Sequence, residues 1–152
     1  MKALQAILGA ALLGAVVFAQ ESDRWRATMA NTPRLQSFDV FVDTGRSPLA
    51  AYQLSIATDR RDVRIVAIDG GESTSFRAPP YYDRRALLTN HVILAAFSTD
   101  PAPRLPFGMT RVASIRVQVN GLTEPRFQVN LETAANANGD RIRASGFLQA
   151  RH

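Results

Sequence analysis

Few residue types in this chain can do chemistry, and most are poorly placed for it. A serine nucleophile needs a histidine base, and the only histidines are His91, inside the apolar run NHVILAAFS, and His152, the last residue. No G-x-S-x-G elbow accompanies them, so both read as core or edge residues. The chain has no cysteine, which removes thiol nucleophiles, cysteine-ligated zinc and iron–sulfur clusters. Asp39 and Asp43 share a strand face, but glycoside cleavage needs carboxylates on opposite sides of a cleft. They read as solvated surface acids. Asn136, Asn138 and Asp140 in NANGD alternate like part of a calcium loop. A full loop has more carboxylates and a distal Glu, so the calcium candidate is weak and a hairpin turn with Asn-Gly at its tip accounts for the residues.

One stretch remains, GGESTSFRAPPYYDRRALL over residues 70–88. Gly70 and Gly71 permit a sharp backbone turn. Pro79 and Pro80 force extended backbone without donors, so the segment cannot join the middle of a ladder and must run over the surface or a sheet edge. Phe76, Tyr81 and Tyr82 then either cap the end of a core or present rings to a ligand, with Arg77, Asp83, Arg84 and Arg85 around them. Phe76, Arg77, Tyr81, Tyr82, Asp83 and Arg84 are the candidate binding residues. A crossing loop needs aromatics simply to stay down, so a structural lid is the stronger expectation, with one Tyr buried and one exposed.

The elements that must position these residues are strands. SFDVFVD puts Phe38, Val40 and Val42 on one face, and PLAAYQLSIA does the same with Ala50, Tyr52, Leu54 and Ile56. DVRIVAIDGG supplies Val63, Ile65 and Ala67, with Val66 and Ile68 also apolar, as in a strand covered on both sides. NHVILAAFS is apolar nearly throughout and reads as a central strand. RVASIRVQVN turns Ala113, Ile115, Val117 and Val119 inward. RFQVNLET does so with Phe127, Val129 and Leu131. Asn120-Gly121 carries a turn signal between those two, and Gly146 in the last strand, DRIRASGFLQ, suggests a bulge. At most one helical turn is expected, near residues 83–88. The fold class is therefore all-β, a two-sheet antiparallel β-sandwich of 7–9 strands. The outward residues of the two cleanest strands (Ser114, Arg116, Gln118, Gln128, Asn130, Glu132) include no ring, which argues against a flat sugar platform there.

Charge excludes another class. Of 18 basic residues 17 are arginine, against 13 acids, and they are dispersed from Arg24 to Arg151. Nucleic acid requires simultaneous phosphate contacts along a basic stripe, so no nucleic-acid partner is expected. The N-terminus MKALQAILGAALLGAVVFAQ has a cationic start, an apolar run and small residues before Gln20, the pattern of a signal peptide cleaved after Ala19. The expected organisation is 1–19 signal peptide or uncleaved anchor, 20–35 flexible tether and 36–150 the sandwich domain. The protein is expected to be exported (periplasmic, cell envelope or extracellular), with membrane contact only if the apolar segment is retained.

The order of landmarks resembles a known pattern. PLAAYQLSIATDRRDVRIVAIDGGE, then NHVILAAFSTD and GMTRVASIRVQVN, then FQVNLETAANANGDRI, together resemble the cohesin type over roughly residues 36–149. APPYYD and AAFSTD also resemble stretches of small exported bacterial proteins of unassigned role. The resemblance implies a jelly roll shared by cohesins and some carbohydrate-binding modules. It further implies a non-enzymatic binding or adhesion module with a protein partner in the envelope, without a cofactor. A carbohydrate-binding module holding a soluble glycan at the 76–85 loop is the alternative.

Overall fold

The computed structural model describes Arg24, Thr28 and residues 32–151. The expected signal peptide and nearly all of the expected tether lie outside the described residues. The chain divides into a small unit, residues 1–33 with 120–123, and a large one, 34–119 with 124–152. In the small unit Arg24 and Thr28 are helical, and the Thr28 hydroxyl donates to the Arg24 carbonyl. The rest concerns the large unit.

Seven strands, β1 (Pro33–Asp43), β2 (Ala51–Ala57), β3 (Val63–Gly70), β4 (His91–Phe97), β5 (Met109–Asn120), β6 (Gln128–Ala135) and β7 (Ser145–Arg151), form two sheets. The orders are β3-β5-β1-β7 and β4-β2-β6, and the registered pairs are antiparallel. Helix among the large unit's described residues amounts to three single 3₁₀ turns, at Thr74–Phe76, Arg84–Ala86 and Ala102–Arg104. The expected sandwich is the observed one. Most of the set the two-residue period selects forms the core: Val40, Val42, Leu54, Ile56, Val63, Ile65, Val92, Leu94, Ile115, Val117 and Val119 are buried, whereas Phe127, just ahead of β6, Val129 and Leu131 are only partly buried against it. Burying each such aliphatic side chain stabilises by about 1.5–3 kcal/mol, the term that drives the two sheets together without disulfides.

Where the pattern departs from strict alternation, the cause is an extra residue. The β3–β5 register slips between Ile65 and Ala67, so Val66 is the unpaired residue of a bulge. Ile68 then takes the inward position after Ile65, and β3 is an edge strand rather than one covered on both faces. The β2–β6 register slips likewise: Leu54 faces Leu131 and Gln53 faces Thr133, which leaves Glu132 as the additional residue and turns Ala134 inward. In β5, Val112, Ala113 and Ser114 are buried in succession, so Ser114, expected among the outward residues, is not a solvent-facing position. Gly146 marks no bulge, because β7 pairs with β1 without a slip. A Cβ there would lie 3.4 Å from Leu131 Cβ and Val129 Cγ1, an ordinary contact, so position 146 faces β6 across the sandwich.

The crossing over residues 71–90 closes one side of the sandwich by pairing with both sheets. On β3, Ile65 N–H donates to the Thr89 carbonyl (2.8 Å) and Leu88 N–H to the Ile65 carbonyl (2.7 Å). On β4, Tyr81 and Ala95 exchange both backbone hydrogen bonds, at 2.7 and 3.0 Å. The glycine pair makes the tight start possible. A methyl on Gly70 would overlap the Arg77 carbonyl, and one on Gly71 the Arg111 carbonyl. Leu88, at φ 66°, is the one positive-φ residue other than glycine among those described, and it sits where the crossing meets β3.

Candidate functional site

The crossing separates its own candidates. Phe76 is 2% exposed and meets Tyr52 edge to face at 5.4 Å between ring centres. Tyr52 is buried, its hydroxyl donates to the Val112 carbonyl at 3.3 Å, and burial pushes its phenol pKa up. Phe76 is therefore part of the core and no ligand can reach it. Tyr82 is partly buried against the same core. Asp83 is exposed and caps the following 3₁₀ turn, its carboxylate accepting from Arg85 N–H at 2.9 Å. Arg77 and Arg84 are exposed. Tyr81 is 70% exposed and its ring lies parallel to that of Phe97, 6.2 Å apart at 9°. The lid and the exposed ring are both present, on different residues.

Phe97 leads to a surface that the sequence reading missed. β4 is an edge strand of the three-stranded sheet and not a central one, and, like its neighbours in this two-layer sandwich, it turns one face to solvent. Four rungs cross that face: Phe97–Ala51–Ala135, Ala95–Gln53–Thr133, Ile93–Ser55–Asn130 and His91–Ala57–Gln128. Tyr81, paired with Ala95, extends the second rung by one strand. Phe97 is 63% exposed and Ile93 44%. Between the two rings and the small residues Ala51, Ala95 and Gln53 is a shallow cleft of about 280 Å³. The one acid at this face is Glu132, on the bulge, which accepts a hydrogen bond from the Gln53 amide. No arginine occupies any of these twelve positions; Arg141, bridged to Ala135, extends the first rung on the far side, its guanidinium donating to the Glu132 carbonyl.

The outer face of the four-stranded sheet differs completely. Asp39 on β1 sits between Arg111 of β5 (3.8 Å) and Arg151 of β7, and Arg111 also lies 3.8 Å from Glu72. Arg64, Asp69 and Arg116 are exposed on β3 and β5. That face is charged and ion-paired, with one half-buried aromatic pair, Phe41 stacked on Phe147, at its β1–β7 side. Asp39 is thus engaged by two arginines, and Asp43 accepts from Gly45 N–H at 3.0 Å in the turn after β1. Neither acid faces another across a cleft.

At the weak calcium candidate, the Asn136 side-chain oxygen accepts from Asn138 N–H (2.9 Å) and Asp140 N–H (3.0 Å). Its amide nitrogen donates to the Asp140 carboxylate at 3.2 Å. The alternate spacing serves the turn, with Gly139 at φ 83°. No cluster of three potential ligands occurs among the described residues.

No protein-family model matches the chain, and no curated protein matches it either. Solved structures do. A non-cellulosomal cohesin from the archaeon Archaeoglobus fulgidus superimposes with a TM-score of 0.51 at 8% identity over 74% of each chain. The seventh ScaB type I cohesin from Pseudobacteroides cellulosolvens gives 0.52 at 5% identity, covering 74% of this chain and 75% of that one. The third cohesin ScaC of Acetivibrio cellulolyticus, solved in complex with a ScaB dockerin, gives 0.52 at 16% identity over 72% and 81%. The fold is a cohesin-like β-sandwich. At these identities the likeness is one of fold.

Proposed function

Starting from a cohesin-like sandwich with one outer face poor in charge, we propose that this protein is an exported, non-enzymatic binding module of the cell envelope. It docks a protein partner on the outer face of β4-β2-β6. The observation that supports the reading is the charge contrast between the two sheets. The core of a protein–protein interface is depleted of charge and enriched in aromatic residues. In a chain with 17 arginines, the twelve rung positions carry none, while Tyr81, Ile93 and Phe97 stand exposed around four alanines. The cohesin solved with a dockerin shares the fold, which agrees with a protein partner.

Size sets the strength. Three strands and the Tyr81 extension span roughly 15 Å by 20 Å, about 300 Å², against about 800 Å² per side in a standard interface. The rings are then the anchors, and the partner must also engage the neighbouring crossing, where Arg77 and Arg84 are exposed. Its surface is an apolar-centred one with acidic groups at that rim.

Capture from envelope extract tests the reading when run in parallel on the unaltered protein, Phe97→Arg and Arg116→Glu. A partner held by the first and third and lost by the second is the expected result. Equal loss in both variants, or loss only in Arg116→Glu, overturns it. The parallel Tyr81–Phe97 rings also favour one second reading, a sugar ring stacked over the cleft. Retardation in gels containing soluble glycans, abolished by Tyr81→Ala, would select that reading instead.

A further inference from the structure

A β-sandwich has four strand edges, each a row of unpaired N–H and C=O groups that invites another strand. In this fold three are guarded. The β3 edge is covered by Leu88 and Thr89. The β4 edge is paired at Ala95 by Tyr81, and the Thr89 hydroxyl takes both the N–H (3.2 Å) and the carbonyl (2.8 Å) of His91. The β6 edge is paired by Ile142 N–H with the Ala134 carbonyl (2.9 Å) and by the bridge of Ala135 with Arg141, and Pro125 lies just ahead of it. The fourth, β7, is unguarded among the described residues: its only strand partner there is β1, and no other backbone hydrogen bond among them reaches it. Its seven residues, SGFLQAR, contain no proline and no bulge. Its one charge, Arg151, is turned back onto Asp39.

We infer that the free edge of β7 pairs antiparallel with β7 of a second copy, joining two four-stranded sheets into one of eight. The occupant follows from self-complementarity. A two-fold axis through Leu148 sets Phe147 opposite Gln149, Gly146 opposite Ala150 and Ser145 opposite Arg151. No like charges meet, and on the inward side Leu148 meets its own copy between the small residues Gly146 and Ala150. Beside the same edge lies a cleft of about 370 Å³ to which Phe38, Phe127, Val129 and Leu148 contribute, and which the incoming strand covers. This site is separate from the partner face on β4-β2-β6, so a dimer would present two such faces.

The test is molar mass by sedimentation equilibrium from micromolar to millimolar protein, after expression of the full chain. Gln149 is exposed, so Gln149→Lys keeps the fold while placing the charge that natural edge strands use as a guard. The expected result is a monomer–dimer equilibrium whose dissociation constant rises at least about tenfold in Gln149→Lys. Gln53→Lys, on the other sheet, should leave it unchanged. Because the chain has no cysteine, Leu148→Cys should also form a disulfide-linked dimer on mild oxidation. A monomer throughout that range, or a dimer broken by Gln53→Lys and untouched by Gln149→Lys, overturns the inference.

Discussion

Replacing Phe76 by alanine asks whether the 71–90 crossing is held by the core or merely lies over it. The ring is 2% exposed, packs on Tyr52 and anchors the segment whose Gly71 N–H donates to the Phe76 carbonyl at 2.7 Å. Removing a buried phenylalanine costs about 3–5 kcal/mol, and the edge-to-face contact with Tyr52 adds to the area term. A surface crossing can settle partly into the void, which places Phe76→Ala at about 3–4 kcal/mol. At roughly 4 °C per kcal/mol for a domain of this size, the midpoint of thermal unfolding falls about 12–16 °C. Tyr81→Ala provides the contrast: its exposed ring has only the offset contact with Phe97, so it costs no more than about 1 kcal/mol. Both variants are read by circular dichroism melts and urea titration. A loss below about 1 kcal/mol for Phe76→Ala, or equal losses in the two variants, refutes a core-anchored lid.

Three further outcomes follow from the same packing. The Tyr52 phenol is raised above its ordinary value by burial, so the folded state holds this proton more tightly than the unfolded chain. Stability is then constant below about pH 10 and falls as pH rises beyond it; Tyr52→Phe should flatten that alkaline slope while costing about 0.5–1.5 kcal/mol at neutral pH, measured by urea titration at each pH. Gly71→Ala drives a methyl into the Arg111 carbonyl and should cost about 2–4 kcal/mol, with amide exchange accelerated first in residues 71–90. Asn136→Ala removes the acceptor of two turn N–H groups and should cost about 1–2 kcal/mol, by the same amount with or without calcium chloride in the melt.

The sequence made the sandwich legible because inward aliphatics recur at every second position in β1, β2 and β4, and their burial agrees. The bulges were not legible. Val66 and Glu132 differ in no way from ordinary strand residues, and a slip of one appears only once the partner strand is in register. The same ambiguity hid the candidate site. In HVILAAF both parities are apolar, so Ile93, Ala95 and Phe97 could not be distinguished from a second buried face. What reveals them is that Val92 and Leu94 are the pair packed against the other sheet, which leaves Ile93, Ala95 and Phe97 on the outer face. The signal that was available is negative: the outward positions of β2, Ala51, Gln53, Ser55 and Ala57, are small or polar and uncharged in an arginine-rich chain. The APPYYD stretch gave its constraint correctly, since proline barred it from a central ladder and it borders an edge. Composition could not say which ring would be buried, because that depends on which side chains point into the sheet gap.

Hydrogen-exchange mass spectrometry with and without a captured partner tests the docking face most directly. Added protection in peptides spanning 51–57, 91–97 and 128–135 is the expected result. Protection confined to 33–43 and 109–120, the strands of the charged sheet, would contradict it.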